Sequence, residues 1–487
     1  MTIRALVAAL VCTFLLSACS TTTVTPNQPI APSLCHPERS ERSEPGRRGT
    51  SQPCVILSVA SRSDAESKGE GRTTNTSPIK HVVFIVQENR SFNNLFMNFP
   101  GATTQSYGYD TSGNKIPLQS IDLKTPYDID HSSNGFFAAC DGTGELPGTN
   151  CKMDGWNNEK TTLHAPANAP YAYVSQSVIK PYWSIAKQYV LSDETFASNL
   201  DASFVAHQYV VAAYAARTVN GPDGPWGCEG GKADTTPILT KKRTIGKNRI
   251  VTCFTFTTMG NEADAAGLSW RFYSEGIYDY GGIWSSYQAD DKIYHGADWS
   301  TNVINPGAQF LTDIGNGQLA NITWITPTYK NSDHSGLGAT SGPAWVASLV
   351  NAIGKSTFWK STAIFIMWDD WGGWFDPVAP VFKDYDGLGF RVPLLMVSPY
   401  AKKGSVTHTQ YETSSVLRFM EDTFGLAPMA KSDARASDPA NDAAAFDFSQ
   451  KPRAFKKIAG AKPAWYWFER ERLENAKPRP KTMFGDD

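Results

Sequence analysis

Apolar positions along the chain gather into short unbroken runs. The most pronounced are Ile79 to Val86 (IKHVVFIV), Ile322 to Thr326 (ITWIT), Ala363 to Trp368 (AIFIMW) and Pro393 to Val397 (PLLMV). Runs of this length, rich in β-branched residues and apolar at consecutive positions, suit central parallel strands buried on both faces. Helical patterns follow over Ala344 to Ile353 and Ser414 to Phe424. Buried strands alternating with helices predict a layered α/β fold with a mostly parallel sheet. Long loops rich in Gly, Asn and Ser, from Gly101 to Asn158 and from Thr218 to Lys247, are expected to cover the functional edge of that sheet. Ligands bind outside the carboxyl ends of parallel strands, so the residues after each strand carry the most information.

The two ends of the chain break this pattern. Met1 to Arg4 carries one positive charge, Ala5 to Leu16 is apolar but too short to span a bilayer, and Leu16-Ser17-Ala18-Cys19 follows. This predicts a leader over residues 1–19 whose LSAC ending resembles a bacterial lipobox, with cleavage before Cys19 and lipidation of its thiol. The weaker alternative is a plain signal peptide. Ser20 fits outer-membrane sorting, so the expected location is the cell envelope, as an outer-membrane lipoprotein or in the periplasm. Residues 20–77 are too poor in apolar surface to fold and read as a tether. The catalytic body is expected over 78–470 and a loose tail over 471–487.

Composition changes the picture mainly by exclusion. The 487 residues are 41% hydrophobic and 12% aromatic, ample for a large core. Forty-five basic residues against 47 acidic ones give a formal net charge of -2, which argues against a nucleic-acid partner. Of the eight cysteines, Cys140, Cys151, Cys228 and Cys253 lie in the body, and none of the spacings is that of a zinc ribbon. Export favours disulfides there, with the pairing left open.

Two predicted strands end in oxygen-rich segments, Glu88-Asn89 after the first and Asp369-Asp370 after the third. Carboxylate and amide oxygens attract hard divalent cations such as Mg, Ca or Mn. An Asp-Asp pair at a strand end is otherwise a turn former or helix cap. A third segment, Asn199 to His207, places Ser203 just before a helical stretch, where a helix N-terminus favours an alkoxide or a phosphate. Capping by Ser203 or Asp201 is the commoner use of such residues. His207 reads equally as a packed core histidine. His131 and His334 lie in polar loops able to reach the strand ends, and His295 is a weaker candidate.

These segments, in this order, resemble the phosphoesterase family that holds bacterial phospholipases C and the AcpA-type acid phosphatases. The resemblance is carried by IKHVVFIVQENRSFNNLF, HSSNGFFAAC with KMDGW, LDASFVAHQYVVAA, DIGNGQLANITWITPTYKNSDHSG, TAIFIMWDDWGGWFDPV and the stretch from Gly389 to Leu426. It implies an alkaline-phosphatase-like α/β three-layer sandwich. It implies a metal held by Glu88, Asn89, Ser203, Asp369 and Asp370, with Ser203 also the nucleophile. His131, His334 and, less securely, His295 would contact phosphoryl oxygens or the leaving group. Three positions depart from the family pattern: Ala206 stands where Asn is common, Asn93 where Asp is usual, and Asp376-Pro377-Val378 where Asp-His-Val is common. The expected activity is metal-dependent hydrolysis of a phosphate monoester through a phosphoserine. Phospholipase C action on lipid head groups is the runner-up, and an inactive surface-binding lipoprotein a distant third. A sulfatase ranks lower still, because no Cys-x-Pro-x-Arg signature lies within the body over 78–470; the one such string, Cys35 to Arg39, falls in the tether.

Overall fold

The protein is described by a computed structural model covering residues 77–222, 226–336 and 341–475. The predicted leader, nearly all of the tether, and the tail from residue 476 lie outside the described residues. Eight strands form the central sheet: β1 (His81–Gln87), β2 (Val190–Ser192), β3 (Trp270–Tyr273), β4 (Val303–Ile304), β5 (Ile322–Ile325), β6 (Thr362–Trp368), β7 (Leu394–Val397) and β8 (Ser405–Thr407). Their spatial order is β4-β3-β5-β1-β6-β7-β2-β8. The strands predicted from apolar runs occupy the middle of this order.

All neighbouring pairs are parallel except the two that involve β7. The expectation of a parallel strand over Pro393 to Val397 is therefore corrected. β6 ends at the carboxyl edge of the sheet, and the segment 369–393 stays at that edge, so β7 enters there and runs back, pairing Met367 with Leu394. A parallel strand would need a crossover connection from one edge to the other. An apolar run buried on both faces does not by itself set strand direction.

Helices pack in two groups. α1 (Phe92–Phe96) and α2 (Ser133–Cys140) lie in the loops after β1, and α3 (Lys180–Gln188) leads into β2. α4 (Ser203–Ala212) is followed much later by α5 (Gln309–Gly315), α6 (Gly342–Lys355), α7 (Ser414–Phe424) and α8 (Ala464–Asn475). α6 packs against α3 and α5, and α5 against α8, while α4 packs against α7. With the sheet they make a three-layer α/β sandwich. All ten residues of α4 are buried, which explains its all-round apolar sequence. Val82 to Val86 in β1 are almost wholly shielded from solvent. Each such aliphatic or aromatic side chain contributes roughly 1.5–3 kcal/mol relative to exposure.

Three further expectations are refined. The boundary placed at Arg470 falls inside α8, because Glu471 and Glu474 are buried and accept hydrogen bonds from the Ala308 N–H (3.1 Å), the Thr328 hydroxyl (2.9 Å) and the Lys330 N–H (3.0 Å). The long loops contain small two-stranded sheets, among them Thr235–Leu239 with Ile245–Val251. Disulfides Cys140–Cys151 and Cys228–Cys253 staple those loops.

The segment 369–393 is anchored by a buried ion pair. Arg391 donates from Nε to Asp376 Oδ1 (2.8 Å) and from Nη2 to Asp376 Oδ2 (3.1 Å), and its Nη1 reaches the Asp193 carbonyl (2.6 Å) just past β2. Both side chains are fully shielded. Removing one partner leaves a buried charge uncompensated. Asp376→Ala should therefore cost about 3–5 kcal/mol of stability, read from urea unfolding midpoints; a loss within about 0.5 kcal/mol would show that the pair is dispensable.

Candidate active site

β1 and β6 are adjacent, parallel and in register from His81 opposite Thr362 to Gln87 opposite Trp368. Glu88-Asn89 therefore emerges beside Asp369-Asp370. The Asn89 N–H donates to Asp369 Oδ1 at 2.9 Å, which ties the two strand ends together. Asn89 adopts a left-handed backbone (φ 56°), which asparagine tolerates better than most residues. Gly372 packs directly beneath it: a Cβ there would lie 2.1 Å from the Asn89 carbonyl oxygen, so only glycine fits.

Ser203 is the first residue of α4. The N-cap is Ala202 and the helix has no side-chain cap. Asp201 instead uses its carboxylate to accept from the N–H groups of Ser133, Ala202 and Asn220 at 2.9–3.0 Å. Capping thus accounts for neither residue. Ser203 Oγ lies 3.4 Å from Asp370 Oδ2 and accepts from Asn89 Nδ2 at 3.2 Å. The same amide nitrogen is 3.2 Å from Asp370 Oδ2 and 2.8 Å from His131 Nε2. His131 Nδ1 faces the Ile129 carbonyl at 2.7 Å, so this nitrogen carries the proton and Nε2 accepts. The rings of His131 and His334 meet edge to face at 5.7 Å.

His207, one turn beyond Ser203 on the same face of α4, completes the group. Its Nε2 is 3.1 Å from Glu88 Oε1 and 3.7 Å from Asp369 Oδ2. Glu88, His207 and Asp369 each offer a donor atom within 4.8 Å of the others. Two buried oxygens in this cluster, Asn89 Oδ1 and Asp369 Oδ2, have no hydrogen-bond donor. Buried carboxylate and amide oxygens without donors are costly unless a cation or water satisfies them. The residues present therefore fit a divalent ion with oxygen donors and one imidazole.

Glu88, Asn89, Ser203, Asp369, Asp370, His131 and His334 are all buried and brought together. His295 is not brought to this cluster. It stands with its side chain 59% exposed at the end of a short helix, Nδ1 3.1 Å from Asp291 Oδ1. His207, which the sequence left open between a site role and core packing, joins the donor group. Its spacing of four from Ser203 was the available signal, since such residues share a helix face. Trp284 was missed. Its ring stacks beside those of His207 (6.4 Å) and His334 (6.2 Å).

The His334 loop is clipped to β1. Gln87 donates to the Asn331 carbonyl (3.1 Å) and accepts from the Asp333 N–H (3.0 Å), and Arg90 donates to the Asp333 carbonyl (2.8 Å). Burial pushes the Asp333 carboxyl up to about 7, against the opposing pull of the Tyr182 hydroxyl, the Arg90 charge and the Trp368 indole. Burial, with Asp130 nearby, likewise raises the Glu159 carboxyl well above its usual range. The His131 loop also borders an open cavity of about 350 Å³ lined by Asp128, Asp130, Ser132, Asn134 and Lys160.

The family match and its relatives make this chain a hydrolase acting on phosphoric ester bonds. A model of the phosphoesterase family matches residues 79–427, and the chain belongs to that family. It is 23% identical to a Mycobacterium tuberculosis phospholipase C B, over 78% of this chain and 79% of that protein. It is 24% identical to the hemolytic phospholipase C of Pseudomonas aeruginosa, over 73% of this chain and 54% of that protein. Among solved structures, a Vibrio parahaemolyticus protein of the alkaline phosphatase superfamily aligns over 75% of this chain and 73% of its own, with 10% identity and a TM-score of 0.35.

A raised carboxyl pKa means that the folded state holds the proton more tightly than the unfolded chain. The stability contributed by protonated Asp333 is present below the ordinary value of 3.8 and is lost as pH rises towards about 7. Asp333→Asn should therefore gain stability relative to the unaltered protein between about pH 4 and about pH 8, measured by urea denaturation. A difference that stays constant with pH would place the proton elsewhere.

Proposed function

We propose that this chain is an exported, metal-dependent phosphoesterase that hydrolyses phosphate esters through Ser203 and a phosphoserine intermediate. The observation that carries the reading is Ser203 Oγ at a helix N-terminus, within 3.4 Å of Asp370 and bonded to Asn89. A divalent ion held by Glu88, Asn89, Asp369, Asp370 and Ser203, with His207 among the donors, supplies Lewis-acid charge to the phosphoryl oxygens when bound. Ser203 Oγ attacks phosphorus and gives up its proton towards Asp370. The bond to the leaving oxygen breaks and that oxygen takes up the proton passed to Asp370, with the imidazoles of His131 and His334 beside the cluster to orient it. Water then attacks the phosphoserine, the Ser203 oxygen–phosphorus bond breaks, and Ser203 recovers its proton. The N–H groups at the start of α4 complement the charge on the phosphoryl oxygens.

Two substrate classes suit this chemistry. Ser203 at the nucleophile position favours a soluble phosphate monoester, as in the acid phosphatase branch. Similarity to phospholipases C favours a phospholipid head group, cleaved beside the membrane to which a lipidated Cys19 would tether the chain. The leader and lipobox pattern support export. No helix of the described residues is long and apolar enough to cross a membrane.

Ser203→Ala should lower kcat by at least about a thousandfold while leaving the circular dichroism spectrum unchanged; retained turnover would remove Ser203 as nucleophile. Paired assays on an aryl phosphate and its phosphocholine diester decide the substrate class. A preference for the monoester supports the first reading and a preference for the diester the second. His207→Gln should weaken manganese binding, followed by calorimetry, by about tenfold or more. Unchanged affinity would reduce the imidazole to a packing element.

A further inference from the structure

His295 lies outside the catalytic cluster but inside another one. Asp291 and His295 stand one helical turn apart beside the Cys228–Cys253 disulfide. Cys253 Sγ is 3.6 Å from Asp291 Oδ1, and His295 Nδ1 is 3.1 Å from the same oxygen. One donor atom from each of the four residues lies within 4.8 Å of all the others. A disulfide needs only its two sulfurs. The second disulfide, Cys140–Cys151, belongs to no such group among the described residues. Cys228 is buried and Cys253 half-buried, while Asp291 and His295 are exposed, so the cluster opens to solvent on its carboxylate and imidazole side.

We propose that Cys228, Cys253, Asp291 and His295 form a separate cation site that takes a zinc-class ion once the disulfide is reduced. Two thiolates, an imidazole and a carboxylate are soft and borderline donors of the kind that hold such ions in four-coordinate geometry. Reduction proceeds by two thiol–disulfide exchanges with a dithiol. The sulfur–sulfur bond breaks, two cysteine thiols form, and the dithiol leaves as its own cyclic disulfide. Binding of the ion then releases both thiol protons. The disulfide joins the turn at Gly227–Gly230 to the segment just past strand Ile245–Val251, and a bound ion would tie both to the helix Asp291–Tyr294 as well. That region also carries Trp284, which stacks on His207 and His334.

Cobalt(II) tests this directly, because thiolate ligation gives a near-ultraviolet charge-transfer band that an oxygen-and-imidazole site does not. The full chain, oxidised or reduced with a dithiol, is titrated with cobalt(II). The band should appear only after reduction, vanish in Cys228→Ser, persist in Cys140→Ser/Cys151→Ser, and require at least about tenfold more cobalt in His295→Ala. No band in reduced, folded protein, or a band unchanged by Cys228→Ser, overturns the proposal. Where reduction loosens this region, zinc should restore its protease resistance in the unaltered chain but not in His295→Ala. Equal restoration in both, or none in either, also overturns it.

Discussion

Everything at the site depends on the in-register parallel pairing of β1 with β6. Gln87 opposite Trp368 sets Glu88-Asn89 beside Asp369-Asp370, and the Asn89 N–H bond to Asp369 closes the join. Side chains alternate along a strand, so a slip of one residue would turn each of these groups to the opposite face. β1 is buried from Val82 onward and β6 along its whole length. Immediately past them the backbone leaves the strand conformation, with Asn89 and Gly372 at positive φ. Rigid core and polar site are thus adjacent in sequence, and the core holds groups that would otherwise repel one another.

Much of this was legible in the sequence because it is local. Long apolar runs identify central strands, and oxygen-bearing residues just after them identify the edge that carries chemistry. Less visible were features decided by tertiary context. β4 and β8 are only two and three residues long and partly exposed, too short for a periodic signal. The reversal of β7 depends on the path of the segment 369–393, not on the composition of the strand. His295 stood as a weaker candidate, and its own helix pairs it with Asp291. His207 read equally as site or core because α4 is apolar all round, and a fully buried helix hides a functional face among packing residues.

Burial also gives the cluster its electrostatic character. Glu88, Asp369 and Asp370 are all shielded from solvent, where like charges interact more strongly than in water. The His207 Nε2 lies close to both Glu88 and Asp369, and Trp284 covers the imidazole with a flat apolar face. The aromatic layer continues through Tyr329, stacked on Trp284 at 6.0 Å. Such a layer excludes water from one side of the site while leaving the polar His131 loop on another.

The departures at Asn93 and Pro377 follow from the clamp that anchors the segment 369–393, not from altered chemistry at Ser203. Asn93 donates from its amide to the Gln105 carbonyl and accepts from the Gln105 N–H, both at 2.9 Å. An aspartate here would keep the acceptor, lose the donor, and set a carboxylate against a carbonyl oxygen. Its backbone N–H also reaches Asp376 Oδ2 at 3.1 Å, so a charge at position 93 would sit close to the carboxylate that Arg391 already neutralises. With Arg391 the one cation in that hydrogen-bonded group among the described residues, a neutral side chain at 93 is the better match. Asp376 itself is retained because its two oxygens serve Arg391, Asn93 and the Val378 N–H at once. Pro377, which follows it, has no N–H to satisfy within this enclosed turn.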